Sequence, residues 1–244
     1  MRTKLNYGVL LFTIGFLQTT FAQTHEHHER KLIKHLLGDY EPLERPVAKD
    51  DDVVDLKYDL KLIKISNLCL KKQTLSSIVW IKMRWTDINL KWNPSDYGNI
   101  KSTLIPPNRI WVPDVVPYSS ENMDEVDLRK LSTNVVVDSS GNCIWIPPMN
   151  LKSTCKINDS SANEQSCKIK LGSWTYNGVQ LNVTLQDATP DLSDYVPSRK
   201  WDLINATSER KEVKYDCCPE KYISLIYTFN LKKQGILGRM LGWA

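Results

Sequence analysis

Histidine is scarce in this chain, and its placement limits the chemistry available to the protein. The 244 residues contain four histidines, all between positions 25 and 35. The Gly-x-Ser-x-Gly turn of serine hydrolases is also absent. The histidine cluster is a candidate for copper or zinc, but exposed histidines near a chain end are usually solvated. We therefore predict that the chain is not an enzyme and has no catalytic residues, no metal site and no cofactor.

Long apolar runs are lacking except at the start of the chain. A largely apolar stretch over 8–17 follows Arg2 and Lys4 and precedes Ala22, a pattern typical of a secretory signal peptide cut after the small residue. Beyond it, no run approaches the roughly 20 apolar residues needed to cross a bilayer. The sequence therefore predicts a secreted, extracellular protein with no transmembrane segment.

Charge is nearly balanced, and no linker divides the chain. The formal net charge is +4, and loss of the signal peptide would leave about +2, which is too small to indicate nucleic acid or an acidic membrane as partner. We predict a signal peptide over 1–22, one domain over 23–233 and a tail over 234–244. Three glycines separate the apolar residues of the tail, which favours a loose end over an amphipathic helix on a membrane surface.

Cysteine is well represented, and two cysteines are adjacent. Two Cα atoms joined by a trans peptide lie about 3.8 Å apart, below the usual disulfide range of roughly 4.4 to 6.8 Å. A bridge between Cys217 and Cys218 would therefore be a strained ring that shapes a loop tip; the alternative is a pair of free thiols.

The other four cysteines suggest a second bridge. Cys155 and Cys167 enclose eleven residues, and closing a loop of this size contributes about 3 kcal/mol in the chain-entropy model. Cys69 and Cys143 remain; the sequence leaves open whether they bridge each other, and we favour free, buried thiols. Three acceptor sequons fit passage through the secretory pathway and make candidate glycosylation sites of Asn158, Asn182 and Asn205.

The periodicity of apolar residues predicts an all-β fold. Apolar residues recur at helical spacing over 26–37, and Gly38 follows as a stop. Beyond this short helix the period changes to two over 54–62 and over 223–231, with strand-like segments between them at 77–85, 133–138, 143–146, 167–174 and 179–185. Many short strands with few helices point to a sandwich or barrel.

Four further motifs accompany the adjacent cysteines in a fixed order. They are Trp80 to Asp87 with Trp92-Asn93-Pro94, Trp111-Val112-Pro113-Asp114 with Tyr118, the Cys155 to Cys167 loop, and Gly172 to Tyr176. Together they resemble the ligand-binding domain of pentameric Cys-loop receptors of the nicotinic type, over about residues 26 to 233. The resemblance implies an immunoglobulin-like β-sandwich of about ten strands with a short N-terminal helix, assembled as a pentameric ring.

Within that family the chain looks more like the secreted acetylcholine-binding proteins than like a channel subunit. In receptors this loop carries an apolar stretch that meets the membrane domain, whereas residues 156–166 here are hydrophilic and the loop is shorter. No membrane helix is apparent after the last predicted strand. The alternative, the extracellular ligand-binding domain of a pentameric ligand-gated ion channel subunit, would bind the same ligands and transmit closure to a pore.

The resemblance also implies a site for a quaternary ammonium, shared between subunits. Such a cation donates no N–H hydrogen bond and is held by ring faces, each contact worth about 0.5 to 2 kcal/mol. The principal face comprises Tyr118, Trp174, Tyr215 and Tyr222 with Cys217 and Cys218 at the tip, and Trp174 has the central role. The complementary face of the neighbouring subunit comprises Trp80, Val136, Ile144 and Ile146.

One chain carries both faces, so a homopentamer can build every site from identical copies in a head-to-tail ring. Acetylcholine, nicotine and similar cationic small molecules are the predicted ligands, with peptide toxins as further candidates. Four other tryptophans are interpreted as packing residues, namely Trp85, Trp92, Trp111 and Trp201. A structural adhesion sandwich is the remaining rival, and it would leave the aromatic set unexplained.

Overall fold

The computed structural model describes residues 27–120, 133–161 and 163–235. The predicted signal peptide and most of the predicted tail lie outside them. The first element is helix α1, His28–Leu37, which buries Leu32 and Leu36. Its outer side lies on a short 3-10 turn at Pro94–Tyr97, where the ring of His35 stacks on Tyr97 at 5.6 Å between centroids. The predicted helix is therefore confirmed.

Eleven strands follow in the described part of the chain. They are β1 Val54–Cys69, β2 Thr74–Thr86, β3 Ser102–Ile105, β4 Val115–Pro117, β5 Val135–Asp138, β6 Asn142–Trp145, β7 Pro148–Thr154, β8 Glu164–Ser173, β9 Leu181–Leu185, β10 Trp201–Lys214 and β11 Lys221–Lys233. Two further 3-10 turns occur at Ile88–Leu90 and Pro107–Arg109.

The strands form two sheets. The first has seven strands in the order β3-β5-β6-β2-β1-β9, with β7 also paired to β2. All its pairs are antiparallel except β1 with β9. The second has four antiparallel strands in the order β10-β11-β8-β4. This arrangement confirms the predicted all-β sandwich with a short N-terminal helix.

The core is built by inward-facing residues of both sheets. Alternate positions of β1, β2, β8 and β11 are buried, as expected when each sheet has one wet face. The largest fully buried side chains include Trp111, Trp145, Tyr58, Tyr227 and Phe229. Burial of an aromatic side chain removes a large apolar area from water, so these rings are a major part of the stabilisation.

The four tryptophans interpreted as packing residues are all buried, namely Trp85, Trp92, Trp111 and Trp201. Trp111 contacts the Trp85 ring edge-on at 6.3 Å between centroids. The indole N–H of Trp92 donates to the carbonyl of Ile100 at 2.7 Å. These rings serve the core, as predicted.

Both predicted disulfides are present. Cys155 and Cys167 lie 4.8 Å apart between Cα atoms, and because Cys155 follows β7 and Cys167 lies in β8, the bridge joins the two sheets. Cys217 and Cys218 are also bridged. Cys143 is free and buried, as favoured from the sequence, whereas Cys69 is free and only half-buried.

The loop closed by Cys155 and Cys167 is held by one of its own side chains. Gln165 is buried and accepts from the backbone N–H of Asn158 at 2.8 Å. Its amide nitrogen donates to the carbonyls of Ser161 at 2.6 Å and Asn158 at 3.2 Å. Three backbone groups of the loop are therefore paired within it.

The three sequon asparagines differ in their surroundings. Asn158 and Asn205 are exposed, whereas Asn182 is half-buried. The Asn182 amide donates to Asp55 at 2.8 Å and accepts from Arg210 at 3.2 Å. Glycosylation of these residues stays a prediction.

None of the helices within the described residues combines the length and apolar character needed to cross a membrane.

Candidate ligand-binding site

All six residues predicted for the principal face line one cavity of about 390 Å³, together with Ser173. The rings of Tyr118 and Trp174 meet edge to face at 6.1 Å between centroids. Those of Tyr215 and Tyr222 do the same at 5.7 Å. Trp174 is 68% exposed, an unusual state for a large ring in a folded chain. The cavity therefore presents aromatic surface that the fold itself leaves uncovered.

The position of Tyr118 follows from the pairing of β4 with β8. Val116 pairs with Gly172, and the chain continues to Tyr118, whose N–H donates to the carbonyl of Lys170 at 2.9 Å. The phenol donates to the carbonyl of Ser173 at 2.8 Å. A side chain at Gly172 would overlap with that hydroxyl, so the close approach requires glycine.

Burial raises the pKa of Tyr118 to about 12, with further contributions from Tyr215 and Asp114. The phenol is therefore protonated at neutral pH and keeps its hydrogen bond to Ser173. The site therefore has a neutral, electron-rich ring at this position, and the face of such a ring attracts a cation.

Asp114 fixes the segment that carries Trp174. One carboxylate oxygen accepts a short hydrogen bond from the Ser173 hydroxyl, and the other accepts from the N–H of Thr175 at 2.8 Å. The backbone carbonyl of Asp114 accepts from the N–H of Trp174 at 3.3 Å. Bonds on both sides of Trp174 hold its backbone while the indole projects into the cavity. The sequence analysis gave Asp114 no role beyond its motif.

The other half of the cavity is the tip of the β10–β11 hairpin. Val213 pairs with Tyr222 and Lys214 with Lys221, so Tyr215 and Tyr222 face each other where the ladder ends. The N–H of Cys218 donates to the carbonyl of Tyr215 at 3.1 Å, which closes the turn. The hydroxyl of Tyr222 approaches the sulfur of Cys218 at 4.0 Å.

A lysine that the sequence analysis missed lies against the rings. The ammonium of Lys170 is 5.2 Å from the Tyr118 centroid and 5.7 Å from that of Tyr215. It also donates to the Tyr215 hydroxyl at 3.2 Å. Two rings of the cavity therefore already make cation–π contacts with a lysine of the same chain. Lys170 lies on β8, four residues before Trp174, and this spacing is the feature of the sequence that could have identified it.

The complementary face lies on the other sheet. Its four residues are exposed, and Val136 of β5 pairs directly with Ile144 of β6. Trp80 of β2 and Ile146 line a separate cavity of about 270 Å³. The cavity formed by the principal face contains none of the four. One chain thus carries both faces and does not bring them together.

Leu104 extends this apolar surface and was not predicted. It is exposed and pairs with Val136 across β3 and β5, so the two side chains share the outward face of the sheet. Strand β3 was not recognised from the sequence, and the outward direction of Leu104 could not be deduced without it.

Comparison with known proteins agrees with the resemblance seen in the sequence motifs. A family model described as "Neurotransmitter-gated ion-channel ligand binding domain" matches residues 29–234. The neuronal acetylcholine receptor subunit alpha-2 of Mus musculus is 36% identical over 227 residues, which cover 91% of this chain and 44% of the relative. The human alpha-2 subunit is 36% identical over 212 residues, covering 86% of this chain and 40% of the relative.

The human alpha-5 subunit is 35% identical over 210 residues, which cover 84% of this chain and 43% of the relative. The chain thus spans about two-fifths of the length of these curated relatives. The shared region contains every residue of the principal and complementary faces.

Proposed function

Since this chain belongs to the neurotransmitter-gated ion-channel ligand-binding domain family, we propose that it binds acetylcholine and related cationic ligands such as nicotine. The ligand ammonium is held by the rings of the principal face, and its other end contacts the complementary face of a neighbouring copy in a homopentameric ring. Peptide toxins that cover the same surface are further candidate ligands.

One observation carries the proposal: four aromatic rings and a disulfide surround a single cavity of about 390 Å³. A quaternary ammonium is attracted to the negative face of each ring, and several rings around one charge replace part of its hydration. Among the described residues, none of those that line the cavity carries a carboxylate. Selectivity for a diffuse, methylated charge over a small hydrated ion follows from that composition.

A shared site is supported by the opposite placement of the two faces. Exposed Trp80, at 40%, and the aliphatic residues beside it leave an apolar surface that needs a partner. A ring in which each copy presents its principal face to the next copy's complementary face covers both surfaces with identical contacts.

We further propose that the protein is a secreted binding protein without a pore. The Cys155–Cys167 loop supports this reading, because most of residues 156–166 are polar and Gln165 pairs backbone groups of Asn158 and Ser161 within the loop. Such a loop has little apolar surface to place against a membrane domain. The alternative remains the extracellular domain of a channel subunit.

Calorimetry on the assembled protein tests whether it binds the proposed ligands. Acetylcholine and nicotine should bind the wild type, and Trp174→Ala should weaken both by at least about tenfold, because the largest cation–π face is lost. Ile204→Ala is the matched control, since Ile204 is also an exposed apolar side chain on the same sheet but lies outside the cavity. Unchanged affinity in a correctly assembled Trp174→Ala variant would contradict the proposal.

The location of the expressed protein distinguishes a secreted binding protein from a channel subunit. Expression in animal cells should deliver the chain to the medium as an assembly that stays in solution without detergent. Retention of binding activity in the membrane fraction would favour the channel-subunit reading instead.

A further inference from the structure

On the complementary face, the ring of Trp80 is already covered by a cation of the same chain. The ammonium of Lys61 lies 5.5 Å from the centroid of the Trp80 ring. The contact follows from the β1–β2 register, in which Lys61 and Trp80 are direct partners and their side chains leave the same face of the sheet.

Two aspartates keep the ammonium in place. Asp194 forms a short ion pair with Lys61, and Asp191 lies 3.6 Å from it. The backbone of Asp191 is fixed beside β1, because its N–H donates to Leu60 and its carbonyl accepts from Leu62, both at 3.0 Å. The acidic partners are therefore built into the fold beside Lys61.

The surroundings keep Lys61 charged. The hydrogen bond with Asp194 raises the pKa of the Lys61 ammonium, and hydrogen bonds from Ser193, with a smaller contribution from Lys61, lower the pKa of the Asp191 carboxyl. Asp59, Asp187 and Lys82 line the same cavity of about 270 Å³. Because Lys61 occupies both the Trp80 ring and the carboxylates of Asp191 and Asp194, a ligand that reaches Trp80 meets an ammonium already in place there, although the wider lining is acidic.

We propose that Lys61 is a specificity-determining residue of the complementary face: its tethered ammonium occupies Trp80, disfavours ligands with a second cationic group and selects those with one cationic end and an uncharged opposite end. The inference rests on the proposed function and deepens it. Trp80 then contributes apolar surface to the ligand, while the cation–π contact of the ligand is made on the principal face, where Lys170 lies over Tyr118 and Tyr215 and leaves Trp174 and Tyr222 for the ligand.

A pair of matched ligands tests this. Decyltrimethylammonium and decamethonium share the same alkyl chain and differ by one quaternary ammonium. Their affinities for the assembled wild type and for Lys61→Met are compared by calorimetry. Removing the tethered charge frees Trp80 beside two aspartates, so Lys61→Met should shift the affinity ratio about five- to tenfold toward decamethonium.

Asp194→Asn gives the opposite prediction. It retains Lys61 and removes a neighbouring negative charge, so the ratio should shift at least about twofold away from decamethonium. A loosened segment around Asp191 would instead move both variants in one direction, and that result would overturn the inference. If Lys61→Met does not assemble, an unchanged ratio in Asp194→Asn also overturns it.

Lys57→Met is the charge control. Lys57 lies on the same strand and pairs with Arg84, about 13 Å along β1 from Lys61. Its loss should leave the ratio within about twofold of wild type. A wild type that binds neither ligand would overturn the proposed function and this inference with it. Wild-type binding with an unchanged ratio in Lys61→Met would overturn this inference alone.

Discussion

At the residue scale, Tyr118 combines a ring that faces the proposed ligand cavity with a hydroxyl that stabilises the fold. The phenol reaches the carbonyl of Ser173 only because Gly172 leaves room for it. Burial raises the pKa of Tyr118 to about 12 from the ordinary value of 10.0. A group whose pKa is raised in the folded state stabilises the protein below its unfolded pKa, and that stabilisation is lost as the pH rises toward the folded pKa.

The Tyr118→Phe variant should therefore show a pH-dependent effect on stability. At neutral pH the loss of one buried hydrogen bond should lower the free energy of unfolding by about 1 kcal/mol. Between about pH 10 and pH 12 the gap between wild type and variant should narrow, because only the wild type gains an ionisable phenol on unfolding there. Urea denaturation of both proteins across this range measures it.

Because other tyrosines are also buried, only the difference in stability between wild type and variant reports on Tyr118. The pKa values of Tyr58 and Tyr227 are raised by burial, so both proteins should lose stability in alkali. Their contribution is common to wild type and variant. A gap that widened with rising pH would contradict the assignment to Tyr118.

The family resemblance predicted which side chains gather around the principal face, but not what holds them. Trp174 and the tyrosines stood out through motifs that packing does not explain. Asp114 and Lys170 act through contacts between β4, β8 and the hairpin tip, and such contacts depend on strand order. The pairing of Lys61 with Trp80 likewise required the β1–β2 register.

At the scale of elements, long alternating strands were predictable and short ones were not. The two-residue period identified β1 and β11, although β1 continues to Cys69 past two register shifts that interrupt the alternation. Strands β3 and β4, at Ser102–Ile105 and Val115–Pro117, are too short to establish a period. Strand β7 starts at Pro148. In the sequence this proline indicates a loop or the end of a strand, so the start of β7 was not predicted there.

Strand β10 was missed for a different reason. Many of its residues between Trp201 and Lys214 are polar or exposed, because β10 is the edge strand of the four-stranded sheet. An edge strand has fewer neighbours to bury its side chains, and its sequence therefore carries less apolar alternation. Its partner β11 supplied the stronger pattern.

The β10–β11 hairpin tip should respond to mild reduction before the rest of the fold does. Cys217 is exposed and Cys218 half-buried, whereas Cys155 and Cys167 are buried. A low concentration of a water-soluble phosphine should therefore open the Cys217–Cys218 bridge selectively, and alkylation followed by mass spectrometry should detect modification only there. Small agonists should then dissociate faster, because the turn that covers the cavity is looser.

A Cys217→Ser, Cys218→Ser variant is the matched control for this experiment. It should bind like the reduced wild type and be insensitive to reductant. Equal dissociation rates before and after selective reduction would contradict a role for the bridge in closing the cavity.

At the scale of the whole molecule, the two halves of the proposed site lie on different sheets of one chain. Trp174 follows β8 of the four-stranded sheet, and Trp80 lies in β2 of the seven-stranded sheet. The faces could be assigned from the sequence only through the family resemblance, since no local pattern reveals that a site is divided between copies.

Complementation between two inactive variants should reveal such a divided site. Trp174→Ala and Trp80→Ala homomers should each bind acetylcholine weakly. Co-expressed chains that mix at random should regain wild-type affinity at about a quarter of their interfaces, where both intact faces meet. Calorimetry on mixed assemblies should detect this high-affinity fraction; its absence despite proven mixing would mean that each chain binds alone.

The hydrogen bonds that Gln165 makes within its own loop have a consequence for how the sequence of that loop can vary. Gln165 bonds the backbone at Asn158 and Ser161 within the loop that contains it, and the inter-sheet bridge fixes the two ends of that loop. Substitution of its exposed polar residues should therefore leave the sandwich intact, whereas Ile157, which packs against the core, should tolerate only apolar replacements.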